Sequence, residues 1–132
     1  MTQENVEIVR RAFELWVEGD LVGMAELFQP EIVVIPPSGW PEGEPVEGIE
    51  GWVRQAERLR EAWEEVAAEF DEIRAVGDER VFARIRYVTR SEAGMAFDTP
   101  MALAMFLRDG RIARAEYYWD AEEALAAVGR SE

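Results

Sequence analysis

The chain has 132 residues, 28 acidic against 14 basic side chains and a net charge of −14, which opposes binding to nucleic acid or to anionic membranes. All the basic residues are arginine, and cysteine, histidine and lysine are absent, so disulfides, thiolate nucleophiles, zinc–thiolate sites, an imidazole base and a lysine Schiff base are excluded. This length is a single domain, residues 1–132. With no apolar run near the ~20 residues of a membrane span and a charged N-terminal stretch, a cytoplasmic location is expected.

Thr2 is a candidate N-cap, and Val6, Val9, Phe13, Trp16 and Val17 form one stripe of a first helix. Gly19 suits the left-handed position after it, and Asp20 can cap a second helix, Leu21 to Phe28. Glu31 to Ile35 reads as a strand stopped by Pro36-Pro37, and the Pro/Gly-rich residues 37–48 read as a loop. The spacing Ile49, Trp52, Val53, Ala56, Leu59, Trp63 predicts a helix to about Val66, with Glu50–Arg54 and Arg60–Glu64 as i,i+4 pairs. Strands follow over about 69–76, 80–90, 95–107 and 111–119, with turns at Gly77-Asp78 and Asp109-Gly110. Asp120, three residues before Glu123, opens a last helix, Ala121 to Val128, ended by Gly129. The pattern is α-α-β-α-β-β-β-β-α, an α+β fold with helices against one mainly antiparallel sheet.

Strand alternation assigns side chains to faces. On 80–90 it turns Val81, Ala83, Ile85, Tyr87 and Thr89 inward; on 111–119 it turns Ala113, Ala115, Tyr117 and Trp119 inward. On 95–107, Ala102, Ala104 and Phe106 are taken as inward, with a bulge near Thr99-Pro100 able to reverse the first half. Together with Ala12, Trp16, Trp52, Ala56 and Trp63 from the helices, these residues outline either an aromatic-lined cavity floored by alanines or a core in which the aromatics close over them.

The segments ENVEIVRRAFELWVEGD (4–20), AELFQPEIVV (25–34), PVEGIEGWV (45–53), LRDGRI (107–112) and EYYWDAEEALAAVG (116–129) resemble the SnoaL-like branch of the nuclear-transport-factor-2-like superfamily in order and spacing. The resemblance implies a cone-shaped barrel: a curved, mainly antiparallel sheet wrapped on N-terminal helices, with a short C-terminal helix and a deep pocket. Ketosteroid isomerases, polyketide cyclases, dehydratases and limonene epoxide hydrolases share this superfamily. Counting from the shared Gly-Asp and the final hairpin, the isomerase's oxyanion tyrosine falls at Ala12, its base at Pro36 and its second acid near Ala102, so all three groups are missing. The cyclases and dehydratases use His or Asp groups in the pocket, of which His is absent here, and the Asp–Arg–Asp set of the epoxide hydrolases is not assembled from this sequence.

Asp98 is the acid/base candidate, its alternative being a turn residue in Asp-Thr-Pro; Tyr87 and Tyr117 could orient a carbonyl or hydroxyl, or satisfy their hydroxyls locally. Trp40, in the loop that borders the pocket mouth in this fold, is a lid or a surface anchor. Glu42, Glu44 and Glu47 match no calcium-loop spacing, so neither metal nor organic cofactor is expected. The outward set Phe82, Val88, Leu103, Met105, Ile112 and Tyr118, mixed with Arg84, Arg86, Arg114 and Glu116, points to a homodimer through the outer sheet face. The expectation is a binder of a small, mainly apolar molecule, with isomerase-, cyclase- or hydratase-type chemistry left open. The alternative is a non-catalytic binding or interaction module.

Overall fold

A computed structural model describes residues 2–39, 44–61, 65–90 and 93–129. The order is α1 (Thr2–Glu18), α2 (Leu21–Ala25), β1 (Phe28–Ile35), β2 (Val46–Glu47), α3 (Ile49–Glu61), β3 (Glu65–Ala75), β4 (Arg80–Arg90), β5 (Ala96–Arg108), β6 (Arg111–Tyr118) and α4 (Ala121–Gly129). The six strands form one open sheet in the order β2-β1-β6-β5-β4-β3. The β1–β6 pair is parallel and the others antiparallel. This is the cone-shaped α+β architecture expected from the sequence, with one short strand, β2, inside the segment read as loop. The third helix ends earlier than its apolar spacing suggests, because the chain is already in β3 at Glu65.

α1 buries Val6, Val9, Ala12, Phe13, Leu15 and Trp16, while Val17, assigned to the stripe, is 41% exposed. Gly19 follows at φ 81°, where its N–H donates to the Trp16 carbonyl at 3.1 Å, and the Asp20 N–H reaches the Leu15 carbonyl at 2.9 Å. Asp20 then caps α2 by accepting from the Gly23 N–H at 2.8 Å. The Arg60 guanidinium crosses from α3 to donate to the Trp16 carbonyl and lies 5.1 Å from the Trp16 ring centroid, while Glu64, its expected helix partner, falls outside the described residues. No basic residue stands in the last turn of α1, so Arg60 supplies the positive charge that this helix end favours. The Asp109-Gly110 hairpin is present, with φ 54° and 74°, the doubly positive turn that suits a two-residue loop.

Three helices cover the inner face of the sheet and α4 covers part of the outer. The inner core joins α1 residues to Ile32, Val81, Ala83, Ile85, Met101, Leu103, Met105, Leu107, Ile112 and Ala115. The outer cluster is Phe82, Ala102 and Ala104 beneath Ala124, Ala127 and Val128 of α4, with Phe106 and Tyr118 at its edge. Two assignments of face are thereby corrected. On β5 the inward residues are Met101, Leu103 and Met105, and Ala102, Ala104 and Phe106 point outward. Their small size lets the α4 alanines approach the sheet instead of opening a cavity. On β6 the pairing jumps from Phe106–Arg114 to Leu107–Ile112, leaving Ala113 as an extra residue that turns Ile112 inward.

A second bulge, at Asp71 of β3, puts two successive acids on the outer face. There Arg86 contacts Asp71 at 3.3 Å, Glu69 at 3.2 Å and Asp98 at 3.1 Å, and Arg84 contacts Glu72 at 3.1 Å. The three carboxylates, Asp71 foremost, hold the Arg86 guanidinium above its ordinary pKa.

Candidate functional site

A cavity of about 70 Å³ lies between α1, α3 and the inner face of the sheet. Its wall is Phe13, Trp16 and Met24 from the first two helices, Val34, Pro36 and Pro37 from the end of β1, Trp52, Gln55, Ala56 and Leu59 from α3, and Tyr87, Met101 and Tyr117 from the sheet. Each contribution follows from local geometry. Phe13 and Trp16 stand three apart on one helical face, and Trp52, Gln55, Ala56 and Leu59 follow the i, i+3, i+4, i+7 spacing of another. Val34 and Pro36 are two apart along one strand face. Tyr87 and Tyr117 stand on β4 and β6, on either side of β5, at the same face of the sheet.

The two phenols are the polar feature of this wall, and each lies close enough to influence the other's ionisation. Both residues retain some surface exposure, but their hydroxyl ends are desolvated. Burial pushes the Tyr87 phenol well above its ordinary pKa, reinforced by the neighbouring Tyr117. Burial pushes Tyr117 up to about 12, with the neighbouring Tyr87 hydroxyl acting in the opposite sense. Both are therefore neutral hydroxyls at physiological pH, able to donate as well as accept. Among the described residues the wall contains no carboxylate and no cation. The remaining polar groups are the buried Gln55 amide and the Trp16 indole, whose Nε1 is shielded and has no hydrogen-bond partner among the described residues.

Of the residues singled out in the sequence, Trp16, Pro36, Trp52, Ala56, Tyr87 and Tyr117 meet at this cavity. Ala12, Ala83, Ile85 and Ala115 are buried in the surrounding core without reaching the wall, and Thr89 is half-buried further along β4. Ala102, Ala104 and Phe106 are on the opposite face, for the register reason given above. Asp98 is on that face too, exposed and paired with Arg86, so it cannot act on a molecule in the cavity. Trp119 lies past the end of β6, 46% exposed, and donates from its indole to the Ser38 carbonyl at 2.7 Å, which pins the post-β1 loop instead of lining a pocket. Trp40, Trp63 and Glu42 fall outside the described residues. No cluster of acidic residues suited to a metal occurs among the described residues.

The sequence reading missed Phe13, Met24, Val34, Pro37, Gln55, Leu59 and Met101 as wall residues. Phe13 and Leu59 were visible in their helical stripes, and Gln55 was recoverable from its position between Trp52 and Leu59. Met101 required the correct face of β5. Where the isomerase comparison put an acid near Ala102, the true inward neighbours Met101 and Leu103 are equally without one.

The profile of the SnoaL-like domain matches residues 9–115. The chain belongs to the SnoaL-like domain family. No curated protein matches its sequence. Among solved structures, this SnoaL-like chain is similar to Bal32a from a soil-derived mobile gene cassette, at 21% identity and a TM-score of 0.81, over 98% of each chain. It is similar to a protein named as a SnoaL-like polyketide cyclase from Jannaschia sp. CCS1, at 21% identity and a TM-score of 0.77, over 99% of this chain and 95% of that one. TerC, crystallised with polyporic acid, aligns at 17% identity and a TM-score of 0.79, over 96% and 99%. At such identities the likeness is one of fold, and it fixes no substrate for this SnoaL-like chain. No helix among its described residues is long and apolar enough to cross a membrane.

Proposed function

We propose that this protein binds a small, mainly apolar molecule in the cavity between α1, α3 and the sheet. The observation that carries this reading is the wall itself: apolar and aromatic side chains around one pair of neutral phenols. Binding sites for small molecules have that composition, an apolar lining with a few placed polar groups. The cavity's 70 Å³ is about half of the ~150 Å³ that admits benzene, so a ring-sized ligand requires side chains to give way. Met24 and Met101, unbranched and adaptable, are the groups suited to do so. Polyporic acid in TerC is an instance of a small organic molecule with this fold.

With Asp98 outside, chemistry in the cavity would rest on a tyrosine hydroxyl that polarises a carbonyl, in the manner of an isomerase or cyclase without its base. Binding without turnover is the reading this inventory favours. A homodimer belongs to the same proposal, but α4 already covers the apolar part of the outer face. Its contact would be the charged part, around Arg84 and Arg86. Native mass spectrometry of freshly purified protein tests both points at once. A dimer mass with a discrete non-covalent adduct, released on denaturation, is the expected result. Bare protein from several expression hosts, unchanged after incubation with small ketones and arenes, argues for a filled core and an interaction role.

A further inference from the structure

The cavity wall holds hydrogen-bond donors that a guest's acceptor could use. Tyr87 and Tyr117 stand together on the wall, and even a hydrogen bond between them would consume only one of the two phenolic hydrogens and leave the other to donate. Trp16 adds an indole N–H, a donor only, in a residue 6% exposed, and Nε1 is the buried side-chain polar atom found without a partner among the described residues. Leaving such a donor unmet is unfavourable, and most buried indoles find an acceptor. The ring is also held in place. Arg60, which is not part of the wall, stacks on it at 5.1 Å and ties down its backbone carbonyl. A fixed donor loses little entropy when an acceptor arrives.

We infer that Trp16 is a ligand-binding residue whose indole N–H, together with the spare phenolic hydrogen of the Tyr87–Tyr117 pair, selects a neutral molecule bearing a hydrogen-bond acceptor such as a ketone. An anionic ligand is not favoured, because no cation is among the described wall residues and Arg60 is engaged at the end of α1. This inference rests on the proposed binding role of the cavity.

The test uses cyclopentanone and methylenecyclopentane, which share a shape and differ in C=O against C=CH₂. In 15N-labelled wild-type protein, with the indole signals assigned by single Trp→Phe variants, the Trp16 Nε1–H resonance should move downfield with cyclopentanone and stay nearly still with methylenecyclopentane. Trp16→Phe should weaken cyclopentanone roughly three- to tenfold, the worth of one hydrogen bond, and leave methylenecyclopentane within about twofold. If both probes bind and move the resonance alike, the donor role is wrong while the pocket stands. If neither probe binds wild-type protein, the pocket reading falls and the inference with it. The wild-type spectra decide the matter even where Trp16→Phe folds poorly.

Discussion

Leu103→Ala should lower folding stability by about 2–5 kcal/mol, a fall in Tm of roughly 7–18 °C for a chain of this length. Leu103 is fully buried, and its partners across the sheet are Ala83 on β4 and Tyr117 on β6. Truncation leaves a hole with a small alanine on one side, and Ala83 cannot fill it. The cost combines the lost transfer of the side chain with the unfilled volume. Leu125→Ala, at a residue 36% exposed on α4, should change stability by no more than about 0.5 kcal/mol. Urea denaturation with an unchanged m-value reads both variants. A loss below about 1 kcal/mol for Leu103→Ala would mean that its side chain is not packed in the core described.

The second large effect is alkaline. Tyr117 has a folded pKa of about 12 against an ordinary value of 10, and Tyr87 is raised in the same direction, both chiefly by burial. A raised pKa in the folded state means that the folded chain keeps a proton the unfolded chain releases. The stabilisation is therefore complete below pH 10 and is lost as pH climbs toward 12, at about 1.4 kcal/mol per pH unit for each tyrosine. Tyr117 alone withdraws roughly 2–3 kcal/mol across that window, and Tyr87 adds to it. Denaturation midpoints should be level from pH 8 to 9.5 and drop steeply above 10, while the Tyr87→Phe/Tyr117→Phe double variant shows a shallower fall. Phenolate absorbance appearing near pH 10 in the folded wild-type protein, from all three tyrosines together, would contradict the burial of this pair.

The helices and the order of elements along the chain, apart from the short β2, were legible because their signals are local. Gly19-Asp20, Asp109-Gly110 and Asp120 are stop, turn and cap residues that act where they stand. The facing of β5 was not legible, for a physical reason. Its run Ala102-Leu103-Ala104-Met105-Phe106-Leu107 is apolar at every position, since helices bury both of its faces, and period-two alternation vanishes when neither face meets water. Choosing the alanines as inward also suggested a roomier cavity than exists. Methionines and leucine occupy that space, and the alanines accommodate α4.

On β6 the alternation held for Ala115 and Tyr117 and failed for Ile112, because a bulge at Ala113 has no mark in the sequence. Asp98 misled in another way. It is the partner of Arg86 across β4 and β5, an interaction that neither residue's local context advertises. Tyr87 and Tyr117 were recoverable because each lies on a strand whose other face is charged at the neighbouring positions, Arg86 beside one and Glu116 beside the other. Trp16's missing partner was beyond reach of any pattern, since an unmet donor is a property of packing.

The central claim is that an apolar cavity, open to a small guest, lies between Phe13, Trp52 and Met101. Diffraction from a crystal pressurised with xenon tests it most directly, because xenon enters dry apolar cavities without regard to ligand identity. The account predicts one ordered xenon within contact distance of Phe13, Trp52 and Met101, with Tyr87 and Tyr117 at the far wall. Xenon elsewhere only, with those side chains packed against one another, would contradict it.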